Sequence, residues 1–200
     1  IDDFEPSLFL HVAWPSNDGA ELGNIIKPDV LQDIPSVELI HGGSSSILKH
    51  SKSMKYTIAL TDPDAPSRDN PEWSEMCHWI ATGVSLKEAD DDDDDEDRAS
   101  TELGTRKKHK GHKGHKGLKE IMEYKPPGPP PKTGKHRYVF LAFAPANGTT
   151  KKLRLSKPED RKHWGFGEAD KGVRQWAEEN GLAPVGEFDK NIPFPAGKLY

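Results

Sequence analysis

One continuous segment, residues 56–68, reads Tyr-Thr-Ile-Ala-Leu-Thr-Asp-Pro-Asp-Ala-Pro-Ser-Arg. Its first five residues are mostly apolar or β-branched, which is typical of a central strand covered on both faces. The prolines that follow end the strand and start a rigid loop. A second apolar run, Tyr138–Phe143, has the same character. Both runs are therefore predicted to lie in the core.

Further short runs rich in β-branched and aromatic residues are separated by turns containing Pro, Gly, Asn and Asp. This pattern favours a mainly β sandwich or barrel over alternating βαβ units. The predicted strands are Leu8–Trp14, Val37–Ile40, Lys55–Leu60, His78–Gly83 and Arg137–Phe143.

A helical stretch is indicated late in the chain. Ser156 and Glu159 have the spacing of a capping box. Farther on, one helical face carries apolar side chains, and Asn180-Gly181 is a typical helix end. The apolar residues of that face are Val173, Trp176 and Ala177. The predicted architecture is thus mainly β with a peripheral helical stretch.

Length and composition indicate a single domain over residues 1–200, with 33% hydrophobic and 30% charged residues. No segment approaches the ~18 consecutive apolar residues of a membrane span. The single cysteine, Cys77, can form neither an internal disulfide nor a thiolate zinc site. We expect a cytoplasmic protein, with a secreted or vacuolar location as the alternative.

Residues 86–119 form a charged insert. Nine acidic residues occupy Glu88–Asp97, and a basic block, Arg98–Lys119, follows. With almost no apolar residues, the insert is predicted to be disordered from about Glu88 to Gly117. A period-three His-Lys-Gly repeat supplies a weak metal candidate, but we expect no metal and no cofactor. Its histidines are His109, His112 and His115. Outside the insert the chain is nearly neutral, so no nucleic-acid partner is expected.

Asp62 and Asp64 follow the first central strand. A haloacid dehalogenase-type phosphatase is rejected because the strand–helix alternation is missing, and a glycosyltransferase because a nucleotide-sugar domain does not fit this length. An Asx-type turn that holds Arg68 remains as a purely structural alternative. At least one X–Pro bond in the two proline-rich loops is predicted to be cis. The candidate bonds are Asp62–Pro63, Ala65–Pro66 and those of Gly128-Pro129-Pro130.

Two histidines and a tyrosine lie close to these loops. His136 and Tyr138 are two residues apart and share a strand face. Neighbouring residues such as Cys77 and His78 point to opposite faces, which argues against a thiolate–imidazole pair. Converging His78, His136 and Tyr138 would supply donors to an oxyanion, with Asp62 able to keep an imidazole protonated. We therefore expect sulfate to bind more tightly as the pH falls.

The strings Leu60-Thr-Asp-Pro-Asp-Ala-Pro-Ser-Arg68, Glu75 with His78-Trp79, Gly128-Pro-Pro to Gly134 and His136-Arg-Tyr-Val-Phe-Leu141 occur in this order. Together they resemble the phosphatidylethanolamine-binding protein family, which includes Raf kinase inhibitor proteins, plant flowering regulators and fungal carboxypeptidase Y inhibitors. The resemblance covers the whole body apart from residues 86–119. It implies a large antiparallel sheet packed on a smaller sheet, with a few peripheral helices.

The resemblance also implies a small pocket for phosphate-like anions and the phosphoethanolamine head group. Carried over by motif position, its residues are Asp62, Asp64, Trp73, His78, Gly128, Pro129, Pro130, His136 and Tyr138. Trp73 replaces a tyrosine of many relatives and thereby removes a hydroxyl donor. Pro126-Pro127 replaces Gly-Ser and removes backbone N–H groups near the rim.

No nucleophile held by a base is visible in the sequence, so we expect a binding protein rather than an enzyme. The likeness to fungal members favours an inhibitor of a serine carboxypeptidase. Modulation of a kinase is the alternative, and hydrolysis of phospho- or acyl-substrates is a weaker one. The expected partners are a phosphate- or phosphoethanolamine-type anion and such an enzyme. We expect a monomer, and the sequence leaves peripheral membrane contact open.

Overall fold

The computed structural model describes residues 7–16, 19–20, 23–41, 52–87, 117–168 and 171–186. Within these ranges eight strands and one α-helix form. The strands are β1 (Leu8–Ala13), β2 (Ser36–His41), β3 (Tyr56–Asp62), β4 (Met76–Val84), β5 (Leu86–Lys87), β6 (Lys119–Met122), β7 (Val139–Pro145) and β8 (Leu182–Gly186). The helix α1 spans Val173–Glu179, and short 3₁₀ segments span Pro28–Leu31 and Lys162–Gly165.

The strands follow one another in the order β5-β2-β1-β8-β7-β3-β4-β6. The ladder divides into two parts, because β1 and β8 are joined only by a single parallel pair, Leu8 with Gly186. On one side, β8, β7, β3, β4 and β6 form a large sheet in which every pairing is antiparallel. On the other, β1, β2 and β5 form a smaller sheet.

Two apolar cores cover the two faces of the large sheet. The first lies between the sheets, where the Trp14 ring meets Phe140 edge-on at 6.0 Å between centroids. The second lies between the large sheet and α1 and includes Trp164 and Trp176. Every side chain of β3 and β7 is buried, as predicted for central strands. The prediction of a mainly β fold with a large sheet packed on a smaller one is confirmed.

The helix prediction is confirmed in part. Helix α1 ends before Asn180 and buries the predicted face of Val173, Trp176 and Ala177. The capping-box prediction at Ser156 is wrong, because residues 152–158 have no regular secondary structure. The Ser156 backbone N–H and hydroxyl instead donate to Asn180 Oδ1 at 2.7 and 3.2 Å. Ser156 therefore holds the end of α1 rather than starting a helix.

Sequence reasoning missed three strands. β5 and β6 are short and overlap the two ends of the predicted insert, residues 86–119. β8 contains Pro184, which is typical of a strand breaker. Residues 88–116 lie outside the described residues. The predictions of disorder and of a weak metal site at His109, His112 and His115 both concern this segment. No helix within the described ranges is long and apolar enough to cross a membrane.

Candidate functional site

Two loops meet at one end of the large sheet because β3 and β7 are antiparallel neighbours. Thr61 near the end of β3 pairs with Val139 at the start of β7. The loop after β3 and the loop before β7 therefore leave the sheet side by side. The Ala65–Pro66 bond in the first loop is cis, as predicted for one of the X–Pro bonds.

Asp62 is the centre of this junction. Its Oδ1 accepts a hydrogen bond from the Asp64 backbone N–H at 2.8 Å, which closes an Asx turn. Its Oδ2 lies 2.9 Å from Nδ1 of His136. Both side chains are almost fully buried. Burial raises the pKa of Asp62 above its usual value, although the hydrogen bonds from His136 and the Asp64 backbone oppose the shift.

The hydrogen bonds around His136 indicate where its protons lie. Nε2 is 3.0 Å from the Thr133 hydroxyl, which lies 2.8 Å from the Pro130 carbonyl oxygen. A carbonyl oxygen only accepts, so a hydroxyl that donates to it accepts a hydrogen bond from Nε2–H. The contact between Nδ1 and Asp62 then requires one further proton, which the two groups share. His136 and Asp62 thus form a buried pair that bridges the loops.

Asp64 faces a different partner. Its carboxylate receives hydrogen bonds from the Arg137 backbone N–H at 2.7 Å and from Nε and Nη2 of the same residue at 3.0 and 2.7 Å. Burial raises the pKa of Asp64, but the hydrogen bonds and charge of Arg137 outweigh this and hold it below the usual value. Asp64 therefore ties the loops together as an ion. The Asx turn of the structural alternative is present; Arg137 binds Asp64 directly, and the charge of Arg68 also lowers the pKa of Asp64.

His78 approaches the junction from β4. It occupies a β-bulge, since Leu60 pairs with Trp79 while the next residue, Thr61, pairs with Cys77. Its Nδ1 lies 2.8 Å from the Lys125 carbonyl oxygen. Because that oxygen only accepts, Nδ1 carries the proton. The bulge therefore supplies the extra residue that carries the imidazole.

Tyr138 completes the cluster. Its ring meets His78 edge-on at 5.1 Å between centroids and stacks on His136 at 6.3 Å. Its hydroxyl faces the Asp62 carboxyl group and the backbone N–H of Gly128. Burial raises the pKa of Tyr138, so the hydroxyl keeps its proton. We call this group, Asp62, His78, Gly128, His136 and Tyr138, the polar loop cluster.

The expectation that His78 is a charged hydrogen-bond donor is wrong. Burial lowers the pKa of His78 to about 4, and the charges of Lys125, Arg161 and His136 act in the same direction. The Lys125 carbonyl opposes the shift without reversing it. His78 is therefore neutral at pH 5.5 as well as at pH 7.5, and it is not the charged donor that the sequence suggested.

The remaining predicted site residues lie around the cluster. Pro129 is half-buried, and Pro130 contributes its carbonyl oxygen to Thr133. Trp73 is half-buried and donates its backbone N–H to Ala65 at 3.0 Å. Its ring carries the Lys162 ammonium group at 4.0 Å from the centroid. Trp73 thus lies in the segment between β3 and β4, in a cation–π contact with Lys162.

Several residues of the site were missed from the sequence. Arg137 alternates with His136 and Tyr138, so the two-residue strand period could have placed it on the opposite face. Thr133 and Lys125 act through a hydroxyl and a carbonyl group that no pattern singles out. Arg161 donates to the carbonyl oxygens of Cys77, His78 and Glu123 at 2.9–3.2 Å, from a turn far away in sequence.

Comparison with known proteins places the chain among similar sequences and folds. The family model described as phosphatidylethanolamine-binding protein matches residues 28–186. Carboxypeptidase Y inhibitor from Saccharomyces cerevisiae is 29% identical over 192 residues, covering 91% of this chain and 82% of that protein. CEN-like protein 1 from Nicotiana tabacum is 27% identical over 186 residues, covering 92% and 80%.

Among solved structures, the crystal structure of carboxypeptidase Y inhibitor complexed with its cognate proteinase superposes with a TM-score of 0.68. The sequences are 28% identical, and the match covers 92% of this chain and 81% of that one. The matched residues include the large sheet, β2, β5 and both loops of the polar loop cluster, so the resemblance inferred from the loop motifs is confirmed. The chain belongs to the phosphatidylethanolamine-binding protein family.

Proposed function

We propose that this protein is a non-enzymatic inhibitor of a serine carboxypeptidase, and that its polar loop cluster holds a small phosphate-type anion. The observation that carries the inhibitor function is the match to carboxypeptidase Y inhibitor over nine-tenths of the chain, in both sequence and fold. The anion function rests on the buried donors and acceptors of the cluster, which converge beside a solvent-facing loop.

The absence of an activated cysteine supports a non-enzymatic function. Cys77 is fully buried in the core beneath α1. Burial raises the pKa of its thiol to about 12, although the Arg161 charge opposes the shift. A thiol that stays protonated and has no access to solvent is not a nucleophile.

One arrangement favours a second candidate, a hydrolase. Thr133, His136 and Asp62 form a chain of contacts at 3.0 and 2.9 Å, in the order of a hydroxyl–imidazole–carboxylate triad. The hydroxyl, however, donates to the Pro130 carbonyl oxygen, so Nε2 donates instead of accepting. A general base needs a free lone pair on that nitrogen. The three residues therefore stabilise the loop before β7 rather than activate a nucleophile.

The inhibitor function is tested by titrating a purified serine carboxypeptidase of the carboxypeptidase Y type with the full chain while following peptide hydrolysis. We expect activity to fall with increasing inhibitor and to level off near a one-to-one ratio. Heat-unfolded protein is the control for non-specific effects. Full peptidase activity in the presence of excess folded protein would refute the inhibitor function.

The hydrolase alternative is tested with the protein alone and an activated ester or aryl phosphate. We expect no turnover above the uncatalysed rate. Thr133→Val is the discriminating variant, because it removes only the hydroxyl. Turnover that is present in the native chain and lost in Thr133→Val would establish the hydrolase and refute a purely binding function.

A further inference from the structure

We propose that an open edge of β7, beside α1, is the docking site of an extended segment with alternating acidic and apolar side chains, and that its occupant is the chain's own Glu187-Phe188-Asp189. This segment follows β8 directly in the sequence. Its docking requires neither the inhibitor function nor the anion function.

Among the described residues, β7 lacks a partner along part of one edge. On one side, β3 pairs with residues 139–143. On the other side, β8 reaches only from Pro145 back to Ala142. No strand of the described ranges therefore pairs with the β8-side edge of residues 139–141. In an antiparallel ladder, hydrogen-bonded and non-hydrogen-bonded residues alternate along each edge, so this edge presents backbone donors and acceptors.

These backbone groups belong to buried residues. Val139, Phe140 and Leu141 are each at most 7% exposed. Buried N–H and C=O groups are nearly always hydrogen-bonded, because an unpaired group loses its bonds to water without compensation. The edge is therefore suited to a further strand rather than to solvent.

A groove adjoins this edge on the side of α1. It has a volume of about 1050 Å³ and is lined by residues of α1, β7 and β8. Leu141, Phe143 and Pro184 are among its apolar residues, and Arg137 and Lys171 add positive charge. Because strand side chains stand perpendicular to the sheet, those of a strand added to β7 would enter the groove from this face.

The chain leaves β8 where the open edge begins. Gly186, the last residue of β8, pairs with Ala142. Continuing the same register places residues 187, 188 and 189 opposite residues 141, 140 and 139. No loop has to close, so the entropic cost is confined to fixing the segment itself. A separate molecule would also lose translational and rotational freedom, which favours the chain's own segment as the occupant.

The side-chain pattern of the segment fits this register. Residues directly opposite each other in an antiparallel pair share one face of the sheet. Phe140 belongs to the core between the sheets, so Phe188 opposite it would face that core. Leu141 lines the groove, so Glu187 opposite it would face the groove, as would Asp189 two residues farther on.

The charges of the groove also favour acidic side chains at these positions. Its carboxylates already accept hydrogen bonds, Glu75 from the Val173 backbone N–H, Glu178 from Arg174 and Glu179 from Gln175. Lys171, in contrast, has no such partner in the described part of the chain. An acidic side chain that enters the groove therefore meets an ammonium group that is not already paired.

Solution NMR of the unmodified full chain tests the docking. We expect nuclear Overhauser contacts between the backbones of Glu187 and Leu141 and between those of Asp189 and Val139. At least one amide proton of residues 187–189 should exchange roughly a hundredfold more slowly than in an unfolded peptide, because it is hydrogen-bonded to β7. This measurement does not depend on the folding of a variant.

Phe188→Ala and Phe194→Ala are a matched pair, because each removes a phenyl ring from the segment after β8. Phe188→Ala should lower the midpoint of thermal unfolding by roughly 5 °C or more, because it removes a ring from the core between the sheets. Phe194→Ala lies beyond the docked strand and should shift the midpoint by less than about 1 °C.

Several results would overturn the docking. One is the absence of contacts between residues 187–189 and 139–141, and another is an equal midpoint for the two variants. Contacts of the Phe188 ring with α1 instead of Phe140 would overturn the assignment of its face. Amide protection of residues 139–141 that rises with protein concentration would identify a second copy of the chain as the occupant, and would overturn docking of the chain's own segment.

Discussion

The polar loop cluster and the helix-covered face of the large sheet are both buried, but they are held together in different ways. In the cluster and at the neighbouring Asp64–Arg137 ion pair, polar contacts join segments more than 70 residues apart. On the helix-covered face, Trp164 and Trp176 lie 5.6 Å apart between ring centroids, and each indole has one polar partner. The stability of the first region depends on the geometry of its hydrogen bonds, and that of the second on how well its apolar side chains fill the available volume.

The two regions meet on one strand. In β3 the side chain of Thr61 accepts a hydrogen bond from Trp164 Nε1 at 3.1 Å, whereas the next residue, Asp62, faces the cluster. Strand alternation thus directs Thr61 towards the helix-covered core and Asp62 towards the polar loop cluster. Changes on the helix-covered face should affect stability while leaving ligand affinity unchanged.

Trp176→Ala should have the largest effect on stability. The indole is almost fully buried, so its removal leaves a cavity and should lower the free energy of unfolding by about 3–5 kcal/mol. Urea denaturation measures this change. Trp176→Phe should cost less because most of the volume remains. A loss below about 1 kcal/mol for Trp176→Ala would show that the face can collapse around the missing ring.

The pH dependence of stability reports on His78. The ring has a pKa of about 6.5 in the unfolded chain and about 4 in the folded one. The unfolded state therefore takes up a proton first. The contribution is fully present above pH 6.5 and is lost as the pH falls towards 4, by about 1.4 kcal/mol per unit and about 3 kcal/mol in total.

The contribution of His78 is isolated by urea denaturation of the native chain and of His78→Asn, each at pH 7 and at pH 4.5. The stability difference between the two proteins should shrink as the pH falls, because the variant has no group to protonate. A difference independent of pH would mean that His78 is charged in the folded protein.

Asp64→Asn should have a smaller effect. The amide group turns a donor towards Arg137, whose N–H groups need acceptors, and we expect a loss of about 1–3 kcal/mol in the free energy of unfolding. Asp69→Asn, at an exposed position in the same loop, is the control and should change little. Because the pKa of Asp64 is lowered on folding, the effect should be fully present at neutral pH, begin to shrink near pH 4 and be lost as the pH falls through the lowered pKa of the folded state. Equal effects for the two variants would show that Arg137 contributes nothing.

Removing residues 88–116 should have the smallest effect. Gly83 and Gly117 pack closely, backbone to backbone, and both remain when a short Gly-Ser linker joins Lys87 to Gly117. We expect a change within about 0.5 kcal/mol and unchanged affinity for inorganic phosphate. Thermal unfolding and calorimetry measure the two quantities. A large loss of thermal stability would show that the insert contributes to the fold, and a large loss of affinity would show that it contributes to the site.

Much of the sheet could be predicted because its pattern is local. The runs at Tyr56 and Tyr138 contain enough apolar residues to identify buried central strands without knowledge of their neighbours. Ser156 shows the limit of such reasoning. Its capping-box spacing is real, but the tertiary contact with Asn180 at 2.7 Å uses the same polar groups for a different purpose. Local spacing cannot reveal a partner 24 residues away.

The amino-acid sequence alone determined the family, the mainly β fold and the residue types that gather at the two proline-rich loops, because these depend on apolar periodicity and on contiguous motifs. The tertiary structure alone decided the chemistry of those residues. A bulge between β3 and β4 and the carbonyl oxygen of Lys125 fix the imidazole of His78 as a neutral acceptor. Arg137 makes Asp64 an ion, while burial raises the pKa of Asp62. Charge state depends on distances and burial in three dimensions, which a linear pattern does not encode.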